Sequence, residues 1–192
     1  MSLTYLYKKL ENMDSREQYC YIQNIFKRFE IDPVIPIDEM FKDIDGKQSS
    51  GKNPLGYLVM HLNETGLDEL VPKYLRQLCE HDTFSEYIDS HILDIICHTM
   101  FYIETKDKDY KEKLNYNVSD MLSVFEFGVG KYSEWSFLKL NPYTLVPALF
   151  RHLYKHYFIS KTDEESGLPH IAHAACNLRM IELILEKSWH TN

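Results

Sequence analysis

The 192-residue chain has no Cys-x-x-Cys pair: Cys20, Cys79, Cys97 and Cys176 stand apart, which argues against a zinc ribbon or a thioredoxin-like motif. It has no apolar run near the roughly 20 residues that span a bilayer, so no membrane segment is expected. Residues 1–10 carry Lys8 and Lys9 but no apolar h-region, so no signal peptide is expected either. Four reduced, mostly buried thiols in a cytoplasmic protein are the matching expectation. Positive charge is also short. Lys and Arg number 21 against 29 Asp and Glu, for a net charge of −8 and a pI near 5.6. That argues against a protein that coats duplex nucleic acid, which needs a basic surface. A small anionic ligand remains open, held by a few cations in a cleft or through a divalent cation. Asn-Gly hairpins and sustained alternation are missing, so strand signals are weak.

What is present is a hydrophobic fraction of 44%, enough for a sizeable core, with 14 Tyr and 10 Phe. Tyr in such number implies half-buried rings with paired hydroxyls. The length suits one domain, or two small halves sharing a core. The dominant period is helical. Tyr19, Ile22, Ile25, Phe26 and Phe29 recur at spacings of three and four, with Asp14 or Ser15 as N-cap and Pro33 and Pro36 beyond the end. Further helices are expected at 37–44, 54–62, 68–80, 83–104, 119–132 with Ser119 as cap, 141–160, and 168–188. Pro147 is expected to kink the 141–160 helix or to move its start. Residues 45–51 read as a loop, 106–113 as a charged linker, and 162–167 as a polar loop. The expected fold is therefore all-α: a helical bundle of two halves, 1–110 and 111–192, that are related if an internal echo is real.

That echo pairs His91-Ile92-Leu93-Asp94-Ile95-Ile96-Cys97-His98 with His170-Ile171-Ala172-His173-Ala174-Ala175-Cys176-Asn177. Positions i, i+3 and i+7 share a helix face, so His91, Asp94 and His98 form one polar stripe and His170, His173 and Asn177 another. Facing stripes in a bundle build ligand sites, which makes His91, Asp94 and His98 a candidate second wall. Ile, Ala and Cys are also ordinary core residues, and chance patterning explains the same match.

Polar candidates cluster in the C-terminal half: Glu126, Lys131, Arg151, His152, His156, Asp163, Glu164, Glu165, His170 and His173. Imidazoles and carboxylates are the usual ligands of zinc- or manganese-like ions, and carboxylates suit magnesium. Arg151, Lys131 and Lys161 are suited to phosphate charge. Ser166 and Gly167, just ahead of a helix, offer backbone N–H groups to an anion. The plainer reading of any single histidine here is a hydrogen-bonded core group.

The runs Phe125-Glu126-Phe127-Gly128 with Lys131-Tyr132 and Trp135, then Arg151-His152-Leu153, then Asp163-x-Glu165-Ser166-Gly167-Leu168-Pro169-His170-Ile171-Ala172-His173-Ala174-Ala175-Cys176-Asn177, resemble a phage-encoded family, dATP/dGTP diphosphohydrolase, N-terminal domain. The resemblance covers about residues 118–188. It implies an all-helical protein of phage type, working in the cytoplasm of an infected bacterium, that cleaves or binds purine deoxynucleoside triphosphates. The family's recurring polar residues fall on Glu126, Lys131, Arg151, His152, Glu165, His170, His173 and Asn177. The chain has no paired Glu-x-x-Glu and Glu-x-x-Asp motifs of the kind MazG-like helical pyrophosphatases use, only scattered four-residue Glu-x-x-Asp runs such as Glu86 to Asp89.

Three readings of function follow. In the first, a divalent cation (Mg, Mn or Zn) sits on His170, His173 and Glu165. Glu126, Glu165 and His152 serve catalysis, while Lys131, Arg151, Ser166, Gly167 and Asn177 hold the nucleotide. In the second, the protein sequesters a nucleotide or nucleotide-derived signal of host defence without cleaving it, which the missing acidic pairs favour. A third reading is a protein-binding inhibitor of a host factor that uses the N-terminal half. A homodimer is compatible with each.

Overall fold

The computed structural model describes residues 10–29, 52, 56, 83–111 and 113–189. Among the described residues five α-helices are seen: α1 at Ser15–Phe29, α2 at Thr83–Thr105, α3 at Val118–Lys131, α4 at Val146–Phe158 and α5 at His170–Trp189. The described residues contain no strand, only an isolated antiparallel bridge between Thr162 and Pro169. The all-α expectation holds. The helices expected at 37–44 and 68–80 and the loop at 45–51 lie outside the described residues, as does 54–62 apart from Gly56.

Local chemistry sets the helix starts. Asp14 Oδ1 accepts the N–H groups of Arg16 and Glu17 at 2.8 Å each, and Glu17 accepts the Asp14 N–H at 3.0 Å, which closes a reciprocal cap on α1. Helix α3 is capped by Asn117 rather than the expected Ser119. Asn117 is extended, at φ −82° and ψ 125°, and its Oδ1 accepts the Ser119 N–H at 2.8 Å. The segment expected as one helix from Asn141 is divided. Asn141 caps a 3-10 turn at Pro142–Leu145, and α4 begins only at Val146. Pro147 then lies in the first turn of α4, where its missing N–H breaks no helical bond. Helix α5 starts at His170, so Pro169 precedes the helix.

The main core draws on α2 (Ile92, Ile95, Ile96), α4 (Leu149, Phe150, Leu153, Tyr154) and α5 (Ala174, Ile181, Leu185), with Leu10 joining from ahead of α1. Burying each large aliphatic side chain contributes about 1.5–3 kcal/mol. Helices α4 and α5 pack along each other, α2 lies against α4, and α3 lies against α5. A smaller cluster of Met121, Val124, Ala172, Ala175 and Cys176 joins α3 to the first half of α5. Alanine and cysteine there let α3 approach closely. The charged stretch after α2 holds a short 3-10 turn at Lys108–Tyr110, and Lys111 reaches Glu182 of α5 at 2.9 Å. Gly56 abuts the start of α4: a Cβ there would meet Pro147 Cα and its carbonyl oxygen at 2.7 Å. No helix among the described residues is long and apolar enough to cross a membrane.

Candidate functional site

The turn between α4 and α5 positions the polar residues. The Asp163 N–H donates to the Leu168 carbonyl at 2.9 Å, Gly167 N–H to the Asp163 carbonyl at 2.9 Å, and His170 N–H to the Lys161 carbonyl at 2.9 Å. Gly167 sits at φ +72°, a left-handed conformation that favours glycine. This closed loop turns Asp163 inward, where it is buried, and leaves Glu164 and Glu165 exposed.

Around Asp163 three imidazoles gather. His152 comes from the middle of α4, and His170 and His173 from the first turn of α5; all three are buried. His152 Nδ1 lies 3.0 Å from His170 Nδ1. Asp163 Oδ1 lies 3.8 Å from His170 Nδ1, and Oδ2 lies 3.8 Å from His173 Nε2. The His152 and His173 rings stack with centroids 4.5 Å apart. Ser166 fastens the carboxylate: its N–H and its hydroxyl both donate to Asp163 Oδ2, at 3.1 and 3.0 Å. An ionised carboxylate only accepts, so the serine proton points to Asp163. The 2.7 Å contact of Ser166 Oγ with His173 Nε2 is then a donation from the ring, not a serine activated by a histidine.

The charge state follows from burial. It holds His152 well below its ordinary 6.5, and neighbouring Arg151 adds to the effect. His170 is lowered to about 4, burial outweighing the pull of Asp163. His173 is lowered for the same reason. Burial alone would raise Asp163, but the hydrogen bonds from Ser166 and the two nearby imidazoles bring it below the ordinary carboxylate value. At neutral pH the cluster is therefore three neutral imidazoles and one carboxylate. Ligand atoms of His152, Asp163 and His170 all lie within 4.8 Å of one another, close enough to hold one metal ion.

His152, Asp163 and His173 line a cleft of about 560 Å³ between α3, α4 and α5. That volume lies within the roughly 300–1,000 Å³ typical of small-molecule sites. Phe125, Phe127, Trp135 and Phe137 give it aromatic walls, and Lys52, Lys131, Arg151 and Arg179 bring positive charge.

Of the residues expected from sequence, Lys131, Arg151, His152, Glu165, His173 and Asn177 line this cleft. Ser166 and Gly167 shape the loop behind Asp163. Asn177 Nδ2 donates to the His173 carbonyl at 2.8 Å. Glu165, expected with His170 and His173 on a cation, is instead exposed and paired with Lys131, which holds its carboxyl below the usual value. Glu126 is exposed and does not line the cleft, although Phe125 and Phe127 on either side do. His156 sits half-buried against Tyr157, outside the cluster. His91, Asp94 and His98 are not brought to the cluster. All three are exposed, with His91 edge-on to Tyr157 and His98 beside Tyr110. Their helix turns the intervening Ile92, Ile95 and Ile96 to the core instead.

Asp163 stands among the polar candidates of the sequence without a role of its own, and Lys52 and Arg179 carry no motif signal. Cys176 is buried beneath the site, its thiol pushed up to about 12 by burial, and so is no nucleophile.

These features define a class: a helical bundle with a buried imidazole–carboxylate cluster opening on an aromatic, cationic cleft. Residues 117–191 match the family described as dATP/dGTP diphosphohydrolase, N-terminal. The matched segment contains α3, α4, α5 and every member of the cluster. It supports a function related to nucleotide hydrolysis. No curated protein and no solved structure matches the chain.

Proposed function

We propose that this protein is a divalent-cation-dependent hydrolase of purine deoxynucleoside triphosphates or a closely related nucleotide. The observation that carries the reading is the buried His152–Asp163–His170 group opening on a cleft that also presents Lys131 and Arg151.

The donor set fits a cation. Ligand bonds near 2.0–2.1 Å place two imidazole nitrogens on one ion about 2.9–3.4 Å apart. The two Nδ1 atoms lie 3.0 Å apart here. Ser166 occupies Asp163 Oδ2, so Oδ1 is the oxygen that faces His170. Fixing a ligand by hydrogen bonds from outside the metal shell is the usual design of such sites. A bound cation would polarise a phosphoryl oxygen and acidify water. The chain's own groups do the rest. Arg151 and Lys131 hold phosphate oxygens, the aromatic walls take the base, and the buried cluster keeps bulk water from the reacting phosphate.

The test is incubation of purified protein with a deoxynucleotide panel and Mg²⁺, Mn²⁺ or Zn²⁺, followed by chromatography. Appearance of a monophosphate and pyrophosphate is expected. Recovery of intact nucleotide after denaturation overturns hydrolysis and supports a second reading, sequestration. One observation favours that second reading: Asp163 is the one buried carboxylate in the group, and Glu126 stands outside the cleft.

A further inference from the structure

We infer that Arg151 is a positioning residue that holds the histidine pair in a proton arrangement closed to cations, and that a phosphate entering the cleft releases it. The inference rests on the cation-dependent reading above and adds an order of events to it.

Donors and acceptors fix the proton positions. Arg151 Nη2 lies 3.0 Å from His152 Nε2. A guanidinium has donors only, so Nε2 must accept. A neutral imidazole that accepts at Nε2 carries its proton on Nδ1. That Nδ1–H points at His170 Nδ1, 3.0 Å away, and His170 accepts it. The direction of the whole chain, Arg151 to His152 to His170, is thus set by its first member. A cation between the two rings needs lone pairs on both Nδ1 atoms, and in this arrangement His152 offers a proton instead.

Arg151 also lines the cleft, where its fork suits a phosphate in bidentate fashion. Once it turns to a phosphate, His152 Nε2 loses its donor. The ring then takes a proton at Nε2 from water and returns one to water from Nδ1. The proton count is unchanged, and the freed Nδ1 lone pair meets that of His170. Phosphate and cation binding are therefore coupled, and the coupling is reciprocal. The cluster would load its cation only when a phosphorylated ligand is in place.

The experiment uses the full chain. Long-range ¹H–¹⁵N spectra of the histidine rings, recorded without metal, should show His152 protonated at Nδ1. Adding tripolyphosphate, still without metal, should move that proton to Nε2. Arg151→Met should show the Nε2 form without any ligand. By calorimetry, Arg151→Met should bind Mn²⁺ about tenfold or more tightly than the parent protein, a change of about 1.4 kcal/mol. Lys131→Met, which removes a cleft cation that does not touch His152, should change the affinity by less than about threefold. An Nε2 proton on His152 in the metal-free parent overturns the inference, with no dependence on how any variant folds. Equal Mn²⁺ affinity in Arg151→Met and parent overturns it while leaving the cation site standing. Absence of Mn²⁺ binding in every protein overturns both.

Discussion

The rings of His152 and His173 lie face to face, with centroids 4.5 Å apart and planes 8° from parallel. Two imidazolium ions stacked this way would repel, so at most one ring can be charged, and burial, which lowers the pKa of each, keeps both neutral at neutral pH. The stability consequence has a definite sign. The folded values lie below the unfolded value near 6.5, reaching about 4 for His170. Between those limits the unfolded chain binds more protons than the folded one. The stabilisation is complete above about pH 6.5 and is lost as pH falls toward 4. Urea unfolding of the metal-free protein should show a loss of at least about 2 kcal/mol between pH 7.5 and pH 5. Equal midpoints and slopes at the two pH values would contradict three neutral, buried rings.

Ser166 makes the shortest route from the loop to the cluster. Its hydroxyl donates to Asp163 and receives the Leu168 N–H at 3.2 Å as well as His173. Ser166→Ala should weaken Mn²⁺ binding by about 10–100-fold, the usual effect of losing a group that orients a ligand. The loss in folding stability should be smaller, about 1 kcal/mol, because the helices do not depend on that hydroxyl. Calorimetry beside thermal melting separates the two effects, and unchanged Mn²⁺ affinity would refute the orienting role.

Gly167 tests the loop geometry itself. A Cβ there meets nothing within 4 Å, so crowding is not the issue; the backbone at φ +72° is. Gly167→Ala should cost about 1 kcal/mol from backbone strain alone. It should also lower cation affinity, since the same turn carries Asp163. A variant as stable as the parent would mean that the loop adopts another conformation in solution.

Asp163 and Glu165 are two residues apart and have opposite surroundings. Asp163→Asn should reduce nucleotide turnover by more than about 100-fold, because it removes the charge of a buried cation ligand. Glu165→Gln should change kcat by less than about fivefold, since an exposed ion pair contributes little. Its effect belongs on KM, through Lys131. Steady-state kinetics on both variants, with helical circular dichroism as the folding control, decides the order; the reverse ranking would move the cation to Glu165.

Much of this was legible in the chain. The 3–4 spacing of apolar residues marks the helices, Asp14 marks the start of α1, and Pro147 marks a start later than Asn141, which caps only the 3-10 turn ahead of α4. His170 and His173 fall on one face of α5 by spacing alone. Burial was less legible. The stripe of His91, Asp94 and His98 has the same spacing but faces solvent, because which face a helix turns inward depends on its neighbours.

The sequence by itself determined that a helical chain carries a dense polar motif at the start of its last helix. It did not say which of those groups meet. Spacing along a helix is local and follows from backbone geometry, so the pairing of His170 with His173 was available to inspection. The partner of His170 turned out to be His152, from a different helix. The inward carboxylate is Asp163 rather than Glu165, because a loop closed by the Thr162–Pro169 bridge and a left-handed Gly167 decides which acid points where. Those choices depend on contacts between segments distant along the chain. Only the packing of α4 against α5 brings the nitrogen atoms to within 3.0 Å, and burial, helped by nearby positive charge, keeps their rings neutral.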